Sequence, residues 1–358
     1  MKFKPRKAIR NMPEYDPPIE GRRGKLRLDF NENPVGCSPK VIEMFKSLTR
    51  EDVAIYPEYD KLKEKIIDHY NIEKNQFILT NGVDEGIKLM IDTFISPEDE
   101  ILLPIPTFSM FEIYASIIGC KVTKILYKRD LSFPTEKIFE NISNRTQLII
   151  LANPNNPTGT VIEEIDVLDI IKIANEKGIL VFLDEAYYDF YGKTYLPLVK
   201  KYDNLIVART FSKAYGLAGL RLGILFSNQA IIKSFKKVLS PYSVNNLAVM
   251  AALAALNDIQ YVDNFSEMIR KNRNFVKNEL ENLGLQVYPS KTNFLITNFE
   301  DACNYVYNKL RDREILVRNR TDYPLLENCL RLGIGTRKQS EKLIQAIKSI
   351  LSEWNKNN

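Results

Sequence analysis

Short apolar runs alternate with amphipathic segments along most of the chain. QFILTNG (76–82) leads into DEGIKLMIDTFI, where apolar residues recur at helical spacing. EILLPIPTF, KVTKILY, QLIILANP, ILVFLDEAY and NLIVARTFS follow, each short, mostly apolar and rich in β-branched side chains. Runs apolar on both faces predict a parallel sheet covered by helices. EEIDVLDIIKIANEKG separates two of these runs and predicts a helix that stops at Gly178, a suitable C-terminal cap. From about residue 230 the pattern turns helical, through LAVMAALAALND and a long stretch from Tyr261 to Gly284. Three strand signals, TNFLITNF, EILVRNR and CLRLGIGT, then alternate with two helices, and RKQSEKLIQAIKSILSEW closes the chain. The expectation is an α/β fold with a mostly parallel central sheet, helices on both faces, and a smaller α+β domain. Residues 40–255 form the large domain, 1–39 an extended N-terminal arm, and 256–358 the small C-terminal domain.

Composition removes several classes of function. The 358 residues are 45% hydrophobic, ordinary for a globular protein with a real core. The net charge is +5, but 50 basic and 45 acidic side chains are interleaved, so there is no nucleic-acid footprint. The basic start, MKFKPRKAIR, reads as a solvated terminus rather than a transit segment, and no apolar run approaches a membrane span. Cys37, Cys120, Cys303 and Cys329 show no C-x-x-C pairing, which fits buried thiols in a reducing cytoplasm. His69 is the only histidine and lies in a charged helical segment that favours the surface. Serine–histidine or cysteine–histidine catalysis would have to run through it, and no metal site is expected.

The chemistry concentrates just after the strand-like runs. Asp184 ends ILVFLD, Asn156 follows QLIILANP, Asp84 follows QFILTNG at a helix start, and Ser212 and Lys213 follow NLIVARTF. In a parallel sheet those loops open on one edge, where ligands bind. Each residue alone has a plain structural explanation: NPNNPTG as a turn, Asp184 as a helix cap, Tyr187 as a core aromatic. Together they suit one cofactor, pyridoxal 5′-phosphate. A lysine amine joins its aldehyde, and apolar neighbours or a nearby cation such as Arg221 help to keep that amine neutral. A carboxylate, Asp184, keeps the pyridine nitrogen protonated, so that the ring acts as an electron sink. Asn156 and Tyr187 suit the ring oxygen O3′. Val83, Asp84, Thr210, Ser212 and Arg221 offer backbone N–H groups, hydroxyls and a cation to the phosphate.

Eight segments carry a more specific signal: LDFNENPVG (28–36), IYPEYD (55–60), NGVDEGI (81–87), PTFSMFEIYA (106–115), NPNNPTG (153–159), LDEAYYDF (183–190), RTFSKAYGLAGLRLG (209–223) and CLRLGIGT (329–336). In this order, over nearly the whole chain, they resemble the fold-type I aminotransferases of class I/II, and most closely the histidinol-phosphate aminotransferase branch. The resemblance implies that Lys213 joins the cofactor, that Asp184 pairs with its ring nitrogen, and that Phe108 stacks on the ring where the family often has tyrosine. It implies that Tyr56 reaches the phosphate held by a second subunit, hence a homodimer with shared sites. It also implies that Arg331 binds the substrate α-carboxylate, although alternation along CLRLGIGT is equally that of a half-exposed strand.

The implied reaction is ping-pong transfer of an amino group from glutamate to a small keto compound, in amino-acid biosynthesis. Arg318, Arg320, Tyr15 and Asn156 are candidates for the substrate, best matched to histidinol phosphate and imidazole acetol phosphate. PEYDPPIEGRRG departs from the family's usual proline–tyrosine and Pro-Gly pattern near Tyr15. Alternatives that keep every cofactor residue are an aminotransferase for dihydroxyacetone phosphate or an aromatic keto acid, and a threonine-phosphate decarboxylase. A non-catalytic pyridoxal-phosphate-binding protein is the alternative from another class. No nucleotide-binding glycine motif occurs, since GLAGLRLG has the wrong spacing.

Overall fold

The computed structural model describes residues 3–10, 12, 14 and 18–357. The N-terminal segment holds a short helix, Lys7–Arg10, and a strand, β1 (Leu26–Arg27), so it is not extended throughout. Seven strands make the main sheet: β2 (Phe77–Thr80), β3 (Glu100–Ile105), β4 (Lys121–Leu126), β5 (Thr146–Ala152), β6 (Leu180–Asp184), β7 (Leu205–Thr210) and β8 (Gly223–Phe226). Their order is β2-β8-β7-β6-β5-β3-β4. Every neighbouring pair is parallel except those made by β8, which runs against both β2 and β7.

The continuous apolar runs have the expected cause. Alternate residues of one strand enter two separate cores, Ile149 and Leu151 on one face and Leu148 and Ile150 on the other. A strand covered on both faces has no place for a polar alternation. Helix Glu164–Glu176 ends where Gly178 takes a left-handed φ of 70°. The pattern did not reveal β8, which has only four residues and follows directly on the lysine-bearing segment. Its Gly223 permits a close approach: a Cβ there would lie 2.6 Å from the Gly82 carbonyl carbon. That contact brings the start of helix Gly82–Phe94 against the sheet edge.

Helix Ile259–Glu281 leads to five more strands: β9 (Gln286–Val287), β10 (Phe294–Asn298), β11 (Ile315–Leu316), β12 (Arg318–Asn319) and β13 (Cys329–Gly333). Four form an antiparallel sheet in the order β12-β13-β10-β9. EILVRNR is therefore not one strand. Its first half pairs parallel with β1 and its second half with β13, so it ties the N-terminal segment to this second sheet. Among the described residues no helix is long and apolar enough to cross a membrane.

Candidate active site

The carboxyl ends of the parallel strands open into a cavity of about 110 Å³. Asp184 closes β6 and Thr210 closes β7, while Asn156 stands in the turn after β5. Val83 and Asp84 lie in the first turn of the helix after β2, whose leading N–H groups have no acceptor within the helix. Phe108, Tyr187, Ser212, Lys213 and Arg221 complete the lining. This brings together every cofactor residue expected from sequence except Tyr56.

Local packing explains which side chains reach the cavity. In NPNNPTG, Asn155 holds the turn: its Nδ2 donates to the Pro106 carbonyl and to Thr158 Oγ1, both at 2.9 Å, and Thr107 donates to its Oδ1. Asn156 is left to face the cavity. Thr210 Oγ1 accepts from the Ser212 N–H at 3.0 Å and so fixes the bend between β7 and Lys213. Arg221 sits at φ 57° and pairs with Asp84 at 2.6 Å, both partners roughly 40% exposed. Gly82, at φ 75°, is required beside it, because a Cβ there would come within 2.4 Å of Arg221 Nη2.

Two adjacent acids, Asp184 at the end of β6 and Glu185 just after it, have opposite fates, because successive side chains point to opposite faces. Glu185 is paired: Arg209 Nη2 lies 2.7 Å from its Oε2, Thr194 donates to the same oxygen, and Arg209 stacks 3.4 Å over the Tyr188 ring. Asp184, 8% exposed, receives only the Ala186 N–H, at 2.9 Å, and forms no ion pair among the described residues. Burial pushes its carboxyl up to about 7. A buried acid of this kind calls for a cationic guest.

Arg331 is the mirror case. The alternation in β13 does not leave it half-exposed, because the N-terminal segment and the turn after β5 cover that face and leave it 3% exposed. Its Nη1 donates to Asn156 Oδ1 at 2.6 Å and its Nη2 to the Asp29 carbonyl, while Nε has no partner. No acid pairs with it among the described residues. Burial, then the nearby Arg320, lowers its pKa to about 9. A buried guanidinium without a carboxylate calls for an anion.

Arg331 opens on a second, contiguous cavity of about 540 Å³, which shares Lys213, Tyr187, Asn156 and Arg221 with the first. Arg318 and Arg320 line it as expected. Sequence reasoning assigned no role to Arg22, Phe30, Asn31, Glu32, Tyr114 and Tyr323, which line it too. The motif LDFNENPVG was the available signal for three of them. Phe30 lies under two guanidinium groups, Arg22 at 4.0 Å and Arg318 at 5.6 Å, and Arg22 is fixed by Asp29 and Glu32. The same strap reaches the cofactor side. Lys213 Nζ donates to the Phe30 carbonyl at 3.1 Å, and Asn31 Nδ2 donates to the Tyr187 hydroxyl at 2.8 Å.

Tyr56 lies apart from both cavities, 71% exposed and stacked on Tyr242 with 4.2 Å between ring centroids. Tyr15 lies outside the described residues. A separate cavity of about 420 Å³, between Tyr59, Phe77 and Val244, offers neither a carboxylate nor a guanidinium. Among the described residues no cluster of His, Cys, Asp and Glu is arranged to hold a metal ion.

An amine between an orphan acid and an orphan guanidinium, beside a helix start and two hydroxyls, fits pyridoxal phosphate. The acid suits a protonated ring nitrogen, and the helix start suits a phosphate. The fold and site thus define a pyridoxal-phosphate enzyme on an open α/β sheet. The chain belongs to the family of class I and II aminotransferases, whose family model matches residues 23–347. It is 36% identical over 359 residues to a histidinol-phosphate aminotransferase of Caldanaerobacter subterraneus subsp. tengcongensis, covering 97% of this chain and 98% of that protein. The histidinol-phosphate aminotransferase of Clostridium acetobutylicum superposes with a TM-score of 0.85 at 26% identity, over 92% of this chain and 99% of that one. A histidinol-phosphate aminotransferase of Sinorhizobium meliloti in complex with pyridoxal-5′-phosphate shares the fold, with a TM-score of 0.84 at 24% identity over 92% and 91% of the two chains.

Proposed function

We propose that this aminotransferase passes the amino group of glutamate to imidazole acetol phosphate, forming histidinol phosphate. The observation that carries the reading is Arg331, a buried guanidinium with no acid, next to an arginine-lined cavity continuous with the lysine pocket. An α-carboxylate satisfies Arg331, and a substrate phosphate suits Arg318 and Arg320. The curated relatives named above act as support for the choice of substrate.

Pyridoxal phosphate, when bound, supplies an aldehyde for amines and a ring that drains electrons from the adjoining carbon. Lys213 would hold that aldehyde, and its free amine would serve as the base that moves the proton at the substrate Cα. The Phe30 carbonyl holds one of its N–H bonds, which aims the amine. Asp184 holds the positive charge of the ring nitrogen. Asn156 and Tyr187 would donate to O3′, Phe108 would pack on the ring, and Thr210, Ser212, Arg221 and the Val83–Asp84 backbone would hold the phosphate. Asn156 also buttresses Arg331, so the ring oxygen and the substrate carboxylate share one amide.

The same proposal includes a homodimer, in which the exposed Tyr56 reaches the partner's cofactor phosphate, and a cytoplasmic location. It includes a division into a large domain (40–255) and a small one (256–358) with the arm (1–39). Support for the division is that the arm and the second sheet carry the substrate-facing residues.

A single-turnover screen of the pyridoxamine-loaded enzyme tests the substrate. Imidazole acetol phosphate should convert faster than dihydroxyacetone phosphate or phenylpyruvate. Faster conversion of either competitor rejects the assignment, and carbon dioxide release from threonine phosphate would reassign the reaction to decarboxylation.

A further inference from the structure

We propose that Asn31 is a positioning residue that sets the direction of the Tyr187 phenolic proton, and through it the charge on the ring oxygen of the bound cofactor. This rests on the reading of Tyr187 given above.

Asn31 lies far from the cofactor motifs in sequence, yet it is 3% exposed and its Nδ2 donates to the Tyr187 hydroxyl at 2.8 Å. Tyr187 is itself 4% exposed, and its ring meets Phe294 edge-on at 5.4 Å, so the phenol has a fixed place. A phenol oxygen that accepts from an amide N–H keeps its own proton for another acceptor. Tyr187 lines both cavities, where the ring oxygen of a bound cofactor would offer an acceptor.

The backbone holds this amide in a defined place. Asn31 adopts φ 57°, a left-handed conformation uncommon outside glycine and favoured next by asparagine. Its carbonyl accepts from Asn293 Nδ2 at 3.0 Å, which anchors the strap to the second sheet. Its Oδ1 is buried with no partner. A buried amide with one end unsatisfied is costly, so the end that is used carries the benefit. The opposite amide orientation would draw the phenolic proton toward residue 31, away from the cofactor. The two orientations predict opposite results for an acidic replacement.

A donor on the ring oxygen draws its charge away from the neighbouring lysine-bound nitrogen, which then loses its proton at lower pH. Removing the donor moves the pH-dependent colour change of the holoprotein upward. The experiment is a visible-absorbance titration of wild-type holoprotein, Asn31→Gly, Asn31→Asp, Tyr187→Phe and the double variant Asn31→Gly/Tyr187→Phe. Glycine accommodates the left-handed φ, so Asn31→Gly keeps the strap while deleting the amide, and a melting curve of its apoprotein checks this.

Tyr187→Phe should raise the midpoint by about 1 pH unit. Asn31→Asp should raise it nearly as far, because a carboxylate accepts the phenolic proton, and Asn31→Gly by about half as much. In the Tyr187→Phe background Asn31→Gly should add nothing. Wild-type midpoints in both Asn31 variants overturn the proposal, as does an Asn31→Gly shift that survives in the double variant. A wild-type protein whose cofactor shows no titration overturns the Tyr187 assignment and this proposal with it. A titrating wild type with immobile Asn31 variants sinks the Asn31 role alone.

Discussion

The two halves of the site are built in different ways. The cofactor half stands on strand ends of one sheet, and its residues sit inside short motifs. The half proposed for the substrate is gathered largely from residues 22–32, 318–331 and the turn after β5, far apart in sequence and joined only by folding. Each half contains a buried ionisable group with no counterion among the described residues, Asp184 in the first and Arg331 in the second. Glu185 and Arg209 sit between them as a control, equally buried but paired. Within the site the unpaired charges face the cavities, whereas the Glu185–Arg209 pair is tied into the structure.

Substitutions can break that contrast, beginning with the largest effect. Lys213→Ala should lower aminotransfer by at least about 10⁴-fold, and borohydride should then fix no cofactor on the peptide that carried it. Arg209→Met should destabilise the apoprotein by about 3–5 kcal/mol in denaturant melts, because Glu185 stays buried and alone. Arg331→Met removes a buried cation too, yet the apoprotein should melt no lower, while kcat/KM for glutamate falls about 100-fold, mainly through KM. Equal losses of stability in those two variants would erase the distinction between paired and orphan charges.

Asp184→Asn sharpens the other orphan. The native carboxyl titrates near 7, above its ordinary 3.8, so the folded apoprotein binds more protons than the unfolded chain between those values. Wild-type apoprotein therefore loses stability as pH rises through that window. Above pH 7, Asp184→Asn apoprotein should be more stable than wild type by on the order of 2 kcal/mol, with no difference below about pH 4. Its affinity for pyridoxal phosphate should fall at the same time. The smallest effect belongs to the substrate rim. Arg318→Gln or Arg320→Gln should lower kcat/KM for the phosphorylated keto substrate about tenfold and leave the glutamate half-reaction unchanged.

The legibility of the molecule follows the same division. Strands β2, β3 and β5 to β7 were readable because burial on both faces demands unbroken apolar runs, whereas the edge strand β4, mostly unburied, was read from its β-branched residues. β8 was not, since four residues beginning at Gly223 carry too little pattern. EILVRNR read as one strand because its apolar run passes into Arg318 with no glycine or proline between them, yet its halves pair with different partners. Arg331 read equally as a half-exposed strand residue, because alternation records which face a side chain takes and not what covers that face. Asn31 stood in a quoted motif but had no role, since its partner Tyr187 lies 156 positions away.

By itself the sequence determined strands β2 to β7, the lysine that follows β7, the acid that ends β6 and the turn after β5, because each depends on residues close along the chain. Tertiary structure alone decided which buried charges were left without a partner, where the strap from 29 to 32 crosses the site, and that Tyr56 faces outward. The physical reason is that periodicity and turn chemistry act over a few residues, whereas burial and charge pairing depend on every segment that folds against a position.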